Sequence, residues 1–283
     1  AVDAAPAPVP ARSIVVSDEV VLSEKMLRRF LAAIPDRGKS YQLEIESARF
    51  TMLASQSAPE QWKRIPLTYH GDGDAAPEPL RIQPKSVFDV VEGLPPRMHL
   101  LTDIAVYFFD VWAVHVDYWF DLQTATSLYS RELVTRMISP FRGRVPNVIL
   151  DWFTSSPFVM SRFNSIGKRC RIHRTAILEG CTIGDDVEIG PFSYCRSSVI
   201  GDRAVLREKS AVKMSYLGPR SFVMGADIVN SYVGAETSIF TPMLYNVVFG
   251  ERGFLSGGSG FADFIVGASS IPATIEGKQV PSG

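Results

Sequence analysis

In the second half of this 283-residue chain, seven pairs of an aliphatic or aromatic residue followed directly by glycine recur at nearly constant intervals. The intervals between successive pairs are 17, 17, 17, 16, 16 and 17 residues. A period of this kind is typical of a solenoid, because each turn buries its apolar residue only by stacking on the next turn. The pairs are Ile166-Gly167, Ile183-Gly184, Ile200-Gly201, Leu217-Gly218, Val233-Gly234, Phe249-Gly250 and Val266-Gly267.

Within each period, apolar residues recur at intervals of five or six positions, which predicts three short strands per turn with one inward side chain each. Glycine after an inward position is expected because a tight corner accepts it without a penalty for a Cβ atom. The first predicted inward residues are Ile166, Ile172, Leu178, Ile183, Ile189, Cys195, Ile200, Leu206 and Val212.

This pattern resembles the hexapeptide-repeat family, whose motif is an aliphatic residue, usually a glycine, and four variable residues. The resemblance covers residues 166 to about 276. It implies that residues 166–283 form a left-handed parallel β-helix with a dry interior. It also leads us to expect a homo-oligomer, either a trimer or a dimer.

The composition limits the kinds of partner that we expect and indicates the cellular compartment. The formal net charge of −1 gives no electrostatic reason to expect nucleic acid or an anionic membrane as a partner. No uncharged apolar stretch approaches the roughly 18 residues of a membrane-spanning helix. Residues 1–12 are rich in Ala and Pro and lack the apolar run of a secretory signal, so we interpret them as a disordered tail of a cytoplasmic protein.

The three cysteines, Cys170, Cys181 and Cys195, all lie within the repeats. A thiolate metal site needs closely paired cysteines with further Cys or His ligands nearby, and this spacing does not supply them. We therefore expect small core residues and no zinc.

The first half of the chain mixes strand and helix patterns, which predicts an α/β domain over residues 13–140 and a connector over residues 141–165. A helix from Ser23 to Ile34 has Ser23 as a suitable N-cap. The expected strands cover residues 13–17, 41–53, 65–70 and 80–83, an apolar run covers 104–116, and a second helix covers 118–138. The predicted fold class is an α/β N-terminal portion followed by a left-handed parallel β-helix.

This layout is similar to that of the nucleotide-sugar pyrophosphorylases, which couple a sugar 1-phosphate to a nucleotide. Several of their motifs have counterparts here in the right order. These are Val15-Val16-Ser17-Asp18, Lys85 in Gln-Pro-Lys, Ala105-Val106-Tyr107-Phe108-Phe109, and Trp119-Phe120-Asp121-Leu122-Gln123-Thr124.

The resemblance implies that Asp18 and Asp121 are the ligands of a catalytic Mg²⁺ and that Lys85 contacts the sugar phosphate. Two carboxylates suit this chemistry, because Mg²⁺ prefers oxygen ligands and neutralises the charge of the reacting phosphates. A nucleotide sugar or sugar phosphate would then be the ligand. Each residue also has a simpler interpretation: Asp18 ends a strand, Asp121 caps a helix, and Lys85 is a solvated side chain.

The chain departs from the family at two places. The Gly-rich, Arg- and Lys-bearing loop that wraps the triphosphate has no counterpart before Asp18, and Gln123 stands where the family has glycine. We therefore expect a pyrophosphorylase-like protein that is incomplete or catalytically degenerate. It would be a transferase only if it is active, and its β-helix would serve assembly or regulation.

Two other functions fit the repeats. The first is a hexapeptide-repeat acyl- or acetyltransferase, with His173 as the general base; otherwise His173 is a surface residue at a corner. The second is a non-catalytic oligomeric scaffold. A zinc-dependent carbonic anhydrase of this fold is excluded, because it needs three coil histidines. The early coils also carry scattered arginines that form either a solvated face or an anion site: Arg169, Arg171, Arg174, Arg196, Arg203 and Arg207.

Overall fold

The computed structural model describes residues 11–46, 62–72, 75–92, 104–138, 161–262, 272–275 and 277–281. The described residues form two units. The first covers residues 11–92 and 104–117, and the second covers residues 118–281, each with the gaps just given. Each unit has its own buried apolar core.

The first unit is built around a mixed four-stranded sheet. Its described elements are β1 (Ser13–Val16), β2 (Val20–Leu22), α1 (Glu24–Ala33), β3 (Tyr41–Glu46), β4 (Trp62–His70), β5 (Glu78–Ile82), β6 (Ser86–Glu92), β7 (Ile104–Phe109) and β8 (Ala113–His115). The sheet has the order β1-β4-β3-β5, in which only the β3–β5 pair is parallel. Two antiparallel pairs, β2–β8 and β6–β7, complete the unit.

Helix α1 begins where the sequence predicts. The Ser23 hydroxyl accepts the Met26 N–H at 3.1 Å, which satisfies one of the free donors of the first turn. Met26 and Phe30, four residues apart, share one helix face and are fully buried. The predicted N-cap is therefore confirmed. The strand expected over residues 41–53 ends at Glu46 in the described part, because residues 47–61 lie outside it.

The second unit contains one long helix and a series of very short strands. It begins with α2 (Asp121–Ile138) and, after a 3₁₀ turn at Ser161–Phe163, continues through eighteen strands. These are β9 (Ser165–Ile166), β10 (Arg171–Ile172), β11 (Ile177–Glu179), β12 (Thr182–Ile183), β13 (Glu188–Ile189), β14 (Tyr194–Arg196), β15 (Val199–Ile200), β16 (Val205–Leu206), β17 (Ala211–Lys213), β18 (Tyr216–Leu217), β19 (Phe222–Val223), β20 (Asp227–Val229), β21 (Tyr232–Val233), β22 (Ser238–Ile239), β23 (Met243–Tyr245), β24 (Val248–Phe249), β25 (Phe254–Leu255) and β26 (Gly260–Ala262).

These strands form a parallel β-solenoid of about six turns with three faces. The first face is β10-β13-β16-β19-β22-β25, the second is β11-β14-β17-β20-β23-β26, and the third is β9-β12-β15-β18-β21-β24. Inward residues lie directly above one another, as Ile183 does with Ile200 and Ile189 with Leu206. The predicted fold class and the three strands per turn are confirmed.

The predicted interior is buried except at the two ends of the described solenoid, where Ile166 and Ile172 of the first coil and Phe249 of the last coil are only partly covered. Ile166 is 48% exposed, whereas Ile200 in the same column is 1% exposed. The difference arises because Ile166 has a neighbouring described coil on one side only. Cys181 and Cys195 are buried core residues as expected, and Cys170 is half-buried. The last pair, Val266-Gly267, lies outside the described residues. Further along the chain, β27 (Pro272–Ile275) and β28 (Lys278–Pro281) pair antiparallel.

The periodic glycines are required by close packing between coils. A Cβ atom at Gly218 would lie 2.5 Å from the Ala235 nitrogen, and one at Gly201 would lie 2.5 Å from the Pro219 nitrogen. The left-handed backbone conformation occurs two residues further on, for example at Arg203 and Arg220, with φ of 57° and 58°. The glycine is thus needed for space against the next turn and not for its own backbone angle.

Helix α2 belongs to the second unit and packs against β21 of the third face. The sequence placed this helix at the end of the first domain, before a connector over residues 141–165, of which residues 141–160 lie outside the described part. Of the helices described, neither α1 nor α2 has the length and apolar character needed to cross a bilayer.

Replacing Ile200 by Ala tests the stacked interior. Ile200 is 1% exposed and lies between Ile183 and Leu217, so the cavity should cost about 2–5 kcal/mol of unfolding free energy. Ile166→Ala in the same column should cost much less, because that side chain is already half in solvent. Urea denaturation measures both. Equal losses for the two variants would contradict the packing described.

Replacing Gly218 by Ala tests the contact between coils. The added Cβ has no room against the backbone of the next turn, and overpacking of this kind typically costs about 1–3 kcal/mol. Gly257→Ala is the matched control, since its nearest described neighbour would be the Phe240 carbonyl oxygen at an ordinary 3.5 Å. Thermal unfolding should show a lower midpoint for the first variant alone. An unchanged unfolding midpoint for Gly218→Ala would contradict the close approach of the coils at this position.

Candidate functional site

Two of the predicted site residues, Asp18 and Lys85, lie in the first unit with exposed side chains. Asp18 occupies the turn between β1 and β2, where the Val20 N–H donates to the Ser17 carbonyl oxygen at 3.1 Å. Lys85 lies between β5 and β6, and its backbone N–H donates to Oδ1 of Asp110 at 2.7 Å. The same carboxylate forms an ion pair with Arg29 at 2.8 Å. The backbone at Lys85 is therefore held in place while its ammonium group faces solvent.

Asp121, the other predicted Mg²⁺ ligand, is the first residue of α2. Its Oδ2 accepts the Tyr118 N–H at 2.8 Å, and the Asp121 N–H donates to the Tyr118 carbonyl oxygen at 3.0 Å. An acidic side chain that accepts the backbone N–H three residues earlier forms half of a capping box. Here it satisfies the Tyr118 N–H just before the helix. The geometry thus supports the capping role that the sequence also allowed.

Asp18 and Lys85 belong to the first unit and Asp121 to the second, so neither unit alone holds both carboxylates. Within the described ranges, no group of three or more His, Cys, Asp or Glu side chains is arranged to hold a metal ion. A Mg²⁺ site at Asp18 and Asp121 stays a prediction.

His173, the predicted general base of the alternative acyltransferase, is an exposed residue at a solenoid corner. Its Nδ1 accepts the Thr175 N–H at 3.3 Å and lies 2.9 Å from the Thr175 hydroxyl. That hydroxyl in turn accepts the Phe192 N–H at 3.0 Å. With Nδ1 as an acceptor, the neutral ring carries its proton on Nε2, which leaves Nε2 no lone pair with which to act as a base. This geometry favours the simpler interpretation of His173 as a surface residue at a corner of the solenoid.

A set of interacting polar side chains lies on the second face of the solenoid. We call it the second-face cluster, and its members alternate with the inward residues along each strand, so they project outward. It consists of Glu179, Tyr194, Arg196, Lys213, Asp227 and Tyr245.

Each carboxylate of the cluster is paired with one phenol and one cation. The Tyr194 hydroxyl donates to Oε2 of Glu179 at 2.7 Å, and Nε of Arg196 lies 3.6 Å from the same oxygen.

Three coils further along, the Tyr245 hydroxyl donates to Oδ2 of Asp227 at 2.6 Å. Nζ of Lys213 lies 2.8 Å from Oδ1 and 3.1 Å from Oδ2 of the same carboxylate. Two similar triads therefore occupy one face.

Both phenols are held in the neutral form. Burial raises the pKa of Tyr194, and its hydrogen bond to Glu179 adds to the effect. For Tyr245, the hydrogen bond to Asp227 is the main cause of the raised pKa. A phenolate beside a carboxylate would place two negative charges together, so both hydroxyls remain donors near neutral pH.

The two cations of the cluster are direct neighbours. Arg196 and Lys213 are paired in register on adjacent strands, and Glu179 and Asp227 lie on the coils at either end of this pair. Like charges directly opposite each other on neighbouring strands are destabilising. The small residue Ala211 faces outward two positions before Lys213 and lies between Tyr194 and Asp227 of the neighbouring strands. Glu179 and Asp227 offset this repulsion, because each of them pairs with one of the two cations.

The sequence pointed to only one member of this cluster, Arg196, as part of a possible anion site. The other five were missed because the repeat was read for its inward positions alone. Extending the 17-residue period to outward positions pairs Arg196 with Lys213 directly. The diagonal contacts of Tyr194 and Tyr245 to carboxylates one coil away carry no signal in the spacing.

Replacing Asp227 by Asn tests the phenol–carboxylate contact. The amide cannot supply the negative charge that favours a protonated phenol, so the pKa of Tyr245 should fall towards the ordinary tyrosine value of about 10. The ¹³Cζ chemical shift of Tyr245, followed through an alkaline titration, reports this change. Glu179→Gln is the control and should leave the pKa of Tyr245 unchanged. An unchanged pKa of Tyr245 in Asp227→Asn would show that the hydrogen bond between Tyr245 and Asp227 does not exist in solution.

Comparison with known proteins does not assign the chain to a family. No protein-family model matches the sequence, and no curated protein matches it significantly. The solenoid is compatible with hexapeptide-repeat proteins as a class of fold. A fold of this kind supports many functions, so the function has to be argued from the residues of the site.

Proposed function

We propose that this chain is a nucleotide-sugar pyrophosphorylase-like protein that binds a sugar phosphate or nucleotide sugar on the second face of its solenoid. The observation that carries the proposal is the pair of opposed cations, Arg196 and Lys213, in register on adjacent strands. The proposal concerns binding first, and any catalytic step depends on the residues of the first half of the chain.

A phosphate group suits the position between these cations. Neighbouring strands lie about 4.8 Å apart, so one phosphate can contact both side chains at once. Arg196 offers a planar fork of donors and Lys213 a compact ammonium, which are the two groups proteins commonly use for phosphate. Both side chains are part-exposed, at 43% and 31%, so an incoming anion can reach them.

The remaining members of the cluster suit the hydroxyl groups of a sugar. The part-exposed carboxylate of Asp227 accepts hydrogen bonds, and the phenols of Tyr194 and Tyr245 offer an apolar ring beside a polar tip. The ion pairs hold these groups in place before a ligand arrives, which lowers the entropy lost on binding. A phosphate alone would use only the cations.

The metal-dependent part of the proposal rests on Asp18, Asp121 and Lys85. Exposed carboxylate oxygens such as those of Asp18 are the ligands that Mg²⁺ prefers. When bound, Mg²⁺ would neutralise phosphate charge and orient the reacting groups. Lys85 would add a positive charge on the sugar phosphate. In this proposal the solenoid also serves assembly of a homo-oligomer.

Calorimetric titration tests the binding function. Wild-type protein is titrated with sugar 1-phosphates, nucleotide sugars, and nucleoside triphosphates with Mg²⁺. Lys213→Met should weaken binding of the preferred ligand about tenfold or more, because a charge-assisted contact is lost. Lys168→Met is the matched control, since Lys168 is an exposed lysine of the first coil outside the cluster.

Two results would contradict the proposal. The first is the absence of heat with every ligand of the three classes. The second is an equal loss of affinity in Lys213→Met and Lys168→Met, which would show that the lysines act only through the general charge of the surface.

A further inference from the structure

Strand β1 is an exposed, apolar edge of the first unit's sheet. In the order β1-β4-β3-β5 it pairs on one side with β4, and no other described strand pairs with it. Successive side chains of a strand point to opposite faces of the sheet. Both faces of β1 are nevertheless exposed, because Ile14, Val15 and Val16 are 37%, 42% and 44% exposed. Natural sheets usually protect such an edge with a charge, a proline or a bulge, and this strand contains none of them.

The backbone groups left open on β1 can be identified from its pairing. The Ser17 N–H donates to the Pro66 carbonyl oxygen at 3.0 Å, so Ser17 directs its backbone groups towards β4. Direction alternates along an antiparallel strand. Ile14 and Val16 therefore direct their N–H and C=O groups away from β4, towards the open edge.

The sequence around β1 is complementary to itself. Residues 12–18 read Arg-Ser-Ile-Val-Val-Ser-Asp. If this segment is laid antiparallel on a second copy with Val15 at the centre, Ile14 meets the partner's Val16 and Ser13 meets the partner's Ser17. Arg12 and Asp18 lie in the turns at the two ends of β1, so each end of the segment brings opposite charges near one another. Apolar, hydroxyl and opposite-charge pairs all match, and a single copy of the sequence supplies both sides.

We propose that two copies of this chain pair through β1 about a two-fold axis at Val15, which joins their sheets into one continuous eight-stranded sheet. The backbone pattern agrees with this centre. Ile14 and the partner's Val16 become a hydrogen-bonded pair, because both direct their backbone groups to the open edge, and Val15 faces the partner's Val15 in a non-hydrogen-bonded pair. Such self-complementary contact is the isologous interface of most dimers.

The charges decide in favour of a second copy over an unrelated extended peptide. The Arg12 side chain, which already contacts Asp72 at 3.0 Å, is exposed at one end of the segment. Asp18 is exposed at the other end. An antiparallel copy brings these opposite charges together twice, once on each side of the axis, and a parallel copy would place like charges together. The pairing is independent of ligand binding by the solenoid.

Sedimentation equilibrium of the full chain tests the proposal with two lysine variants. The wild type should show a concentration-dependent equilibrium between monomer and dimer. Val15→Lys places two ammonium groups opposite each other at the axis and should raise the dimer dissociation constant about tenfold or more. Val21→Lys makes the same change at a β2 valine that is also 37% exposed, and should leave the constant unchanged. Circular dichroism confirms that both variants are folded.

Val16→Pro separates the edge contact from the fold of the unit. Proline removes an N–H that faces the open edge and leaves the hydrogen bonds between β1 and β4 intact. Val15→Cys gives a positive signal, because facing residues of a non-hydrogen-bonded pair are close enough for a disulfide across the axis. Under mild oxidation it should form a covalent dimer, and Val21→Cys should not.

A wild type that stays monomeric, or that forms a trimer unaffected by Val15→Lys, would overturn the proposal. So would a Val15→Cys protein that cross-links no faster than Val21→Cys.

Discussion

The solenoid depends on stacking each coil directly on the next. A strand of two or three residues cannot bury a side chain alone, so Ile200 is buried only because Ile183 and Leu217 lie in register on either side. The close approach of the coils follows from this stacking. It leaves no space for a Cβ atom at Gly201 or Gly218, and so explains why glycine recurs with the same period as the apolar residues.

The sequence predicted the features that the period encodes and missed those that arise from neighbouring coils. The inward rows and the three strands per turn follow from spacing alone. The exposure of Ile166 follows from its place in the first coil, and the role of the glycines follows from backbone atoms of the next turn, so neither was visible in a single repeat. The Asp227 contacts join three coils diagonally, which is why the second-face cluster was not predicted beyond Arg196.

The same regularity that forms the core also arranges the surface. Because strands pair in register, outward residues form rows, and one row places Arg196 beside Lys213 with Glu179 and Asp227 on the coils at either end. The first unit shows the opposite situation. Among its described strands, the sheet ends at β1, which has a self-complementary sequence. We propose that the second unit binds a small ligand on this face and that the first unit pairs with a second copy at its sheet edge.

The register of the stack can be measured directly with two spin labels on the first face. Arg171 and Phe254 occupy equivalent outward positions five strands apart. Five spacings of about 4.8 Å predict a separation of about 24 Å between their backbones. Labels at Arg171→Cys and Phe254→Cys, in a Cys170→Ser background, should give one narrow distance near this value by pulsed electron paramagnetic resonance. A broad distribution, or a separation several strand spacings longer, would contradict a stacked parallel solenoid.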